Sequence, residues 1–240
     1  MDPQLTPPHQ IGTLSAVVTG ASKGFGLAVA TVLAKEGWHV TVDGRHAGTL
    51  LPAASKIAAL AVPGDVTDPG HRRQLVEAAV GAAGGIDLVV NNAGALGPSP
   101  LPSLAHCDME DLRAVFEANV FAPLGLVQLA LPYLRARRGA VLNVTSDAAL
   151  EAYEGWGAYG SSKAALEQWS AVLAAEEPEL AVWWLDPGDM RTDMHQAAFP
   201  GEDISDRPLA EHVAPCVASL AKERPPSGRY RASELLEAAR

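Results

Sequence analysis

The segment that decides the fold runs from residue 14 to residue 26 and reads LSAVVTGASKGFG. Four of its first five residues are apolar, glycines follow at 20, 24 and 26, and an Ala-rich stretch then predicts a helix. A buried strand, a tight glycine turn and a helix start in this order present bare backbone N–H groups at one point. This favours binding of a pyrophosphate, although GxxxGxG differs from the general GxGxxG pattern and an ordinary glycine-rich turn also fits.

Outside this segment, short apolar runs alternate with helical stretches. Strands are predicted at 14–18, 38–42, 57–62, 86–90, 140–144, 180–185 and 228–232, and helices at 26–36, 69–83, 109–135, 158–175 and 207–222. Residues 46–55 are predicted as a weak helix or loop, and 193–206 as a long loop. The alternation predicts an α/β, Rossmann-type doubly wound parallel sheet of about seven strands in three layers. We expect one domain over residues 12–240 after a flexible tail at 1–11.

Composition narrows the function classes. The 240 residues carry a net charge of −10, which predicts no general attraction to nucleic acid or to an anionic membrane. Cys107 and Cys216 have no metal-like spacing, and the seven histidines form no close ligand pair, so no metal site is predicted. The start of the chain lacks the pattern of a secretory signal, and no apolar run approaches a membrane span. These features predict a cytoplasmic protein with two free thiols.

A second motif lies in the helix predicted at 158–175. Tyr159 and Lys163 are four residues apart, so their side chains share one helix face and can reach one point. A nearby ammonium favours the phenolate and lowers the pKa of a tyrosine, which suits it for acid–base work. A Tyr and a Lys at this spacing are common on helices, so the pair alone does not indicate a site.

The glycine turn and two further motifs together resemble the compact single-domain branch of the short-chain dehydrogenase/reductase family. Thr19, Gly20, Gly24 and Gly26 match its TGxxxGxG motif, and residues 91–94 read NNAG at the end of the fourth predicted strand. The resemblance covers residues 14 to about 230. It implies a nicotinamide dinucleotide cofactor, with contacts from the residues Thr19, Gly20, Ser22, Lys23, Gly24, Phe25, Gly26, Arg45, Asp65, Val66, Asn92, Ala93, Gly94, Tyr159, Lys163, Pro187, Gly188, Met190 and Thr192.

Some of these contacts have a specific partner in the family. The resemblance implies that Asp65 hydrogen-bonds the adenine amino group, with Val66 beside it. It also implies that Pro187 and Gly188 form the family's PG turn and that Thr192 bonds the nicotinamide carboxamide.

The choice between NADP(H) and NAD(H) depends on the end of the second strand. An acidic side chain there accepts hydrogen bonds from the ribose hydroxyls and repels a 2′-phosphate. The family's register places Gly44 at that position and Arg45 next, so Arg45 and Lys23 can clamp a 2′-phosphate with Ser22 as a donor. We therefore expect NADP(H). A one-residue slip would place Asp43 at the ribose instead and favour NAD(H).

The resemblance also implies the catalytic roles. Tyr159 donates a proton to the carbonyl oxygen, and Lys163 lowers the pKa of Tyr159 and holds the nicotinamide ribose. Ser146, thirteen residues before Tyr159, hydrogen-bonds the same oxygen. Asn119 supports Lys163 through a water.

The substrate is expected to lie near Ser146, Asp147, Trp156, Leu96, Met194 and Phe199. The apolar and aromatic members of this set predict an apolar or aromatic carbonyl compound. Asp147, with Glu151 and Glu154, favours a cationic or polar substrate if these acids line the pocket. A solvated loop with Asp147 as a local cap is the alternative that we favour.

Together these features predict an NADPH-dependent reductase of a ketone or aldehyde. The alternatives are an alcohol dehydrogenase working oxidatively and a non-catalytic cofactor-binding regulator on the same fold. The family commonly forms dimers and tetramers, so a homodimer or homotetramer is expected. One apolar helix face, with Ala164, Leu166, Trp169 and Leu173, fits that association and equally fits packing on the sheet.

Overall fold

The computed structural model describes residues 13–238, and the predicted tail at 1–11 lies outside them. Seven parallel strands form one sheet in the order β3-β2-β1-β4-β5-β6-β7. The strands are β1 (Ser15–Val18), β2 (His39–Gly44), β3 (Leu60–Pro63), β4 (Leu88–Asn91), β5 (Ala140–Val144), β6 (Ala181–Asp186) and β7 (Gly228–Arg231). The predicted α/β doubly wound sheet is confirmed.

Helices cover both faces of the sheet. They are α1 (Gly24–Lys35), α2 (Ala47–Lys56), α3 (Pro69–Ala83), α4 (Met109–Phe116), α5 (Ala122–Arg137), α6 (Gly157–Glu176), α7 (Asp193–Ala198), α8 (Ala210–Val213), α9 (Pro215–Glu223) and α10 (Ala232–Ala238). The segment 46–55, predicted as a weak helix or loop, forms α2. The first six residues of the loop predicted at 193–206 form the short helix α7. The final helix α10 was not predicted.

Strand side chains alternate between two cores, as the pleat of a sheet requires. In β1, Ala16 and Val18 join the core beneath α1, α8 and α9, whereas Val17 joins the core beneath α3, α5 and α6. Both faces are therefore covered, and most residues of the central strands are apolar and buried. Trp183 on β6 is a large, fully buried side chain of the first core.

The order of the strands reverses between β1 and β4, because the chain proceeds from β1 to β2 on one side and from β4 to β5 on the other. At such a point the loops after neighbouring strands diverge and leave a crevice at their carboxyl ends. The glycine turn follows β1 and the NNAG motif ends β4, so the topology places both motifs at this crevice.

One helical run is irregular and apolar. Residues 109–137 are long and apolar enough to cross a membrane by length and composition, yet Leu126, Val127 and Leu134 are buried against the sheet as in a core helix. The run was predicted to bend near Pro123 and Pro132. Instead a π-helical turn, Glu117–Phe121, separates α4 from α5, and α5 continues through Pro132.

Candidate active site

Hydrogen bonds of the Thr19 and Asn92 side chains to main-chain groups hold the glycine turn against the NNAG segment. Thr19 Oγ1 accepts hydrogen bonds from the Asn92 and Ala93 N–H groups, both at 3.0 Å, and Asn92 Nδ2 donates to the Thr19 carbonyl at 2.9 Å. Gly20 has a φ of +65°, and a Cβ there would lie 2.8 Å from the Ala93 Cα. A Cβ on Gly26 would lie 2.6 Å from the Gly20 carbonyl oxygen. These positions require glycine because backbone occupies the space of a side chain.

Gly24 has a different environment, which fits a bound dinucleotide. It has a φ of +59°, and a Cβ there would meet only the Thr192 methyl group, at 3.8 Å. The turn therefore leaves an open cradle between the start of α1 and the start of α7, where helix N–H groups can face a pyrophosphate. Lys23 and Asp193, both exposed, form an ion pair across this cleft.

Asp43 does not face the cleft. Its Oδ1 accepts a hydrogen bond from the Gly20 N–H at 2.6 Å, its Oδ2 lies 3.2 Å from His71 Nε2, and the residue is 1% exposed. Asp43 therefore supports the glycine turn from below, and the one-residue slip that would place it at the ribose is wrong. Gly44 is buried, with its Cβ position 3.2 Å from the Ser22 Cβ, whereas Arg45 is exposed.

Two residues that were expected to contact the cofactor, Lys23 and Phe25, have partners within the protein. The Lys23 ammonium is paired with Asp193, whereas the Arg45 side chain is exposed, and the clamp of both residues on a 2′-phosphate stays a prediction. Phe25 is buried in the core beneath α1, which leaves only its backbone to face a ligand.

The loop after β3 holds Asp65 at the surface. Asp65 Oδ1 accepts hydrogen bonds from the Thr67 N–H and hydroxyl groups. Partial burial raises the pKa of Asp65, but the Thr67 hydrogen bonds and the charge of Arg45 outweigh it and lower that pKa overall. Arg72, which is buried and was not predicted, donates to the Val66 carbonyl at 2.7 Å and shapes this loop.

Ser146, Tyr159 and Lys163 meet at the carboxyl end of β5. Tyr159 and Lys163 are both buried on α6, with Lys163 Nζ 5.4 Å from the centre of the Tyr159 ring. Lys163 Nζ donates to the Val144 carbonyl at 2.8 Å, at the end of β5. Ser146 lies two residues beyond the end of β5, close enough to Tyr159 to lower the pKa of its hydroxyl. The structure therefore brings the three predicted catalytic side chains together.

Asn119 lies in the π-helical turn and joins this centre to the NNAG segment. Its Oδ1 accepts from the Ala95 N–H at 2.7 Å, and its Nδ2 donates to the Ala95 carbonyl and to Ser162 Oγ, both at 2.9 Å. The side chain therefore holds a loop and a helix together and makes no direct bond to Lys163. A π-turn widens the helix by one residue, and such turns are frequent at functional sites.

Burial controls the ionisation of the catalytic pair. It lowers the pKa of Lys163 to about 8, because a buried ammonium loses its hydration. Burial also raises the pKa of Tyr159, with the Asp186 and Asp147 carboxylates adding to the rise and the Ser146 hydrogen bond opposing it. The expected lowering of the Tyr159 pKa by Lys163 is thus not the dominant effect. Tyr159 is a protonated phenol around neutral pH.

The loop after β6 faces the cradle. Gly188, at a φ of +71°, donates its N–H to Asp186 Oδ1 at 3.0 Å, next to Pro187. Thr192 caps α7, with its Oγ1 accepting from the His195 N–H at 3.2 Å. Met190 is buried in the core beneath α1, which fixes this loop to the sheet.

Three of the predicted substrate residues form an apolar wall beside Tyr159. Trp156 packs edge-on to Tyr159 with ring centres 5.7 Å apart, and Phe199 lies 5.9 Å from Trp156. Leu96 is buried against Tyr159 and Ala148. Met194 is 40% exposed and lies outside this cluster.

Asp147 is bonded into the catalytic centre. Its Oδ1 accepts from Ser146 Oγ at 2.9 Å and from the Ala148 N–H at 2.8 Å, and its Oδ2 accepts from the Tyr153 hydroxyl at 3.0 Å. Asp147 therefore caps the local turn, as predicted, by accepting the Ala148 N–H. It also accepts a hydrogen bond from the catalytic Ser146.

An ion-pair network that the sequence did not indicate lies beneath Ser146. Arg229 on β7 donates to the Ser146 carbonyl at 3.2 Å, to Asp186 Oδ2 at 3.0 Å and to Glu167 Oε1 at 3.0 Å. These residues are distant in the chain, and no local pattern indicates that they meet. The contact of Ser162 with Asn119 is equally distant in the chain and leaves no local pattern either.

Comparisons with known proteins agree with this geometry. The short chain dehydrogenase family model matches residues 15–203. An uncharacterized oxidoreductase of Saccharomyces cerevisiae is 37% identical over 74% of this chain and 71% of its own length. The serine 3-dehydrogenase of Agrobacterium fabrum is 32% identical over 84% of this chain and 82% of its own. A Shigella flexneri short chain dehydrogenase solved in complex with NADP superposes with a TM-score of 0.85 at 28% identity, over 92% of this chain and 99% of that one.

A matching family model over most of the chain, relatives above 30% identity and a shared seven-stranded sheet lead to one conclusion. This chain belongs to the short-chain dehydrogenase/reductase family, whose members are NAD(P)-dependent oxidoreductases acting on alcohol and carbonyl groups.

Proposed function

We propose that this protein is an NADPH-dependent reductase of a small ketone or aldehyde that carries an apolar or aromatic group. In the balanced reaction, a carbonyl compound, NADPH and a proton give an alcohol and NADP⁺. The observation that carries the proposal is the meeting of Ser146, Tyr159 and Lys163 beside an open glycine cradle. The nicotinamide supplies hydride when bound, and the protein supplies position and electrostatics.

The protein's own groups support the reductive direction. Burial keeps the Tyr159 hydroxyl protonated, so it can give its proton to a carbonyl oxygen that gains negative charge. Ser146 lies near Tyr159, and its hydroxyl would stabilise that charge by donating to the same oxygen. Lys163 is fixed by the Val144 carbonyl, and it would bind the nicotinamide ribose hydroxyls when the cofactor is present.

Three features at the end of β2 support NADP(H) over NAD(H). Asp43 is engaged by Gly20 and His71 and cannot accept a hydrogen bond from the ribose. Gly44 leaves the acid position without a side chain, and exposed Arg45 follows it. The Shigella flexneri relative, whose structure contains NADP, adds weight to this preference.

The oxidative direction is the second candidate. The name of the Agrobacterium fabrum relative describes a dehydrogenase of serine, so a related enzyme is named for oxidising an alcohol. Oxidation requires Tyr159 to accept a proton as phenolate, and the raised pKa of Tyr159 opposes that. We therefore favour reduction.

We also propose that the protein associates through the α5 and α6 surface. Leu166 and Leu173 are buried against the sheet, so they are not free for association, but Phe121 is 54% and Val172 44% exposed on this side. Sedimentation equilibrium tests this: a dimer or tetramer is expected, and a monomer at micromolar concentration contradicts it.

A substrate panel tests the proposed function. Wild-type protein is mixed with NADPH, and separately with NADH, and with neutral aryl and alkyl ketones and aldehydes. The matching alcohols are tested with NADP⁺ and NAD⁺. Faster oxidation of NADPH than of NADH by aryl ketones is the expected result, and Ser146→Ala should slow it about 100-fold. Tight NADPH binding with no turnover of any compound contradicts the proposal and favours the regulator alternative.

A further inference from the structure

Asp147 carries an exposed carboxylate directly after the catalytic serine. Three protein donors bind it, namely the Ser146 hydroxyl, the Ala148 N–H and the Tyr153 hydroxyl. A carboxylate accepts about four hydrogen bonds, so at least one lone pair remains available. Among the ion pairs of residues 13–238, none includes Asp147.

The charges around this carboxylate are negative. The pKa of Tyr153 is raised by its hydrogen bond to Asp147, then by burial, and then by the Asp147, Glu151 and Asp189 charges, so three acids act on this one ring. The pKa of Tyr159 is raised by burial and then by Asp186 and Asp147, so the field of Asp147 extends to the catalytic hydroxyl.

The basic residues nearby are already engaged. Arg229 is shared between Glu167 and Asp186, and Arg207 pairs with Asp189 and Asp206. Lys163 is buried and donates to Val144.

This arrangement opposes the reduction that Ser146 and Tyr159 are placed to catalyse. Negative charge develops on the carbonyl oxygen during hydride transfer, and an uncompensated carboxylate nearby disfavours it. Asp147 also accepts the Ser146 hydroxyl proton, which Ser146 would otherwise donate to the carbonyl oxygen. A cation on Asp147 relieves both effects, because it screens the carboxylate and weakens its hold on that proton.

The aromatic rings beside Asp147 suit a cation as well as an apolar group. Tyr153, Trp156, Tyr159 and Phe199 form a ring cluster with neighbouring centres 5.7 to 6.3 Å apart. Ring faces attract ammonium groups, most strongly where water is displaced. Asp147 contacts this cluster through the Tyr153 hydroxyl, so a carboxylate and aromatic faces border the same space.

We propose that Asp147 and the ring cluster bind a protonated amine on the substrate, close to the reacting carbon. The substrate class is then an amino ketone, with the amino alcohol as its product. This inference rests on the proposed function and narrows its substrate. Asp147 acts as a specificity-determining residue.

Two ketones of equal shape test the proposal. 2-(Dimethylamino)acetophenone and isovalerophenone differ by a protonated nitrogen in place of a CH group, and both are assayed with NADPH at a pH where the amine is charged. Wild-type protein is expected to prefer the charged ketone about 10-fold or more in kcat/KM. Asp147→Asn keeps the shape and acceptor oxygen and should bring this preference close to equality. Glu154→Gln removes an exposed acid of the same loop and should keep it.

The salt dependence of kcat/KM for the two ketones provides a second test, made on wild-type protein. An ion pair at an exposed carboxylate weakens with screening, so added salt should lower kcat/KM for the charged ketone and leave the neutral ketone unchanged. Three results overturn the inference and leave the proposed function intact. They are turnover of both ketones without a preference, a preference that survives in Asp147→Asn, and a preference that does not change with salt. No turnover of either ketone overturns both.

Discussion

The turn after β1 and the loop after β5 both follow a buried strand and border the same cleft, yet different forces hold them. In the first, main-chain atoms pack so closely that Gly20 and Gly26 have no room for a methyl group. In the second, side chains from β6, α6 and β7 meet through hydrogen bonds, as Arg229 does with Asp186 and Glu167. Cofactor binding therefore depends on backbone shape, whereas chemistry and substrate choice depend on side chains that can change without altering the fold.

The largest effect should come from adding one methyl group to the cofactor end. Gly26→Ala would place a Cβ 2.6 Å from the Gly20 carbonyl oxygen, so the turn must shift. We expect a loss of about 3 kcal/mol in the free energy of unfolding and at least about tenfold weaker NADPH binding, measured by urea denaturation and fluorescence titration. Gly48→Ala in α2 is the control, since a Cβ there meets nothing within 4 Å. Equal behaviour of the two variants would contradict close packing at the turn.

A pH-dependent effect of similar size should come from the buried lysine at the catalytic end. The unfolded chain keeps the Lys163 proton up to the ordinary pKa of 10.5, whereas the folded protein releases it near pH 8. The unfolded state binds more protons in this interval, so wild-type stability rises with pH relative to Lys163→Met. The relative gain approaches about 3 kcal/mol across the interval.

Cofactor-free urea denaturation of both proteins from pH 7 to pH 10 measures this gain. Lys56→Met, an exposed lysine at the end of α2, controls for the loss of a lysine. If the difference in unfolding free energy between wild type and Lys163→Met stays constant with pH, burial does not lower the pKa of Lys163.

A smaller effect is expected at the edge of the cofactor end. Arg45→Ala should weaken NADPH binding about 10- to 100-fold, because a charge-assisted hydrogen bond to the 2′-phosphate is lost. NADH binding should change little. A substitution in the glycine turn, in contrast, should weaken the binding of both cofactors. NADPH and NADH are each titrated into Arg45→Ala and into a control variant, Arg113→Ala, and their affinities are compared. Arg113 is an exposed arginine on α4. An unchanged NADPH/NADH ratio would show that Arg45 does not contact the phosphate.

The same contrast explains what the sequence could predict. The strand–turn–helix at residues 14–26 and the Tyr159–Lys163 spacing are local, so periodicity and motif spacing indicated the fold and the candidate centre. The inward turn of Asp43 towards His71 depends on α3, and the pairing of Lys23 with Asp193 depends on α7. The contact of Arg229 with Ser146 requires β7 to lie next to β6. Such long-range contacts leave no local pattern.

The π-helical turn at Asn119 was missed for a related reason. Prolines at 123 and 132 predicted a bend, but Pro132 lies within a continuous helix. The irregularity instead lies at Asn119, whose side chain bonds Ala95 and Ser162 on two other segments.

Binding and turnover of Tyr159→Phe, measured on the same preparation, test the central claim most directly. Loss of the hydroxyl removes the proton donor but leaves the glycine turn and the ring packing in place. We expect NADPH binding within about threefold of wild type and a fall in ketone turnover of about 1,000-fold. Turnover within about tenfold of wild type would contradict the role of Tyr159, and loss of NADPH binding would contradict the separation of the two ends of the cleft.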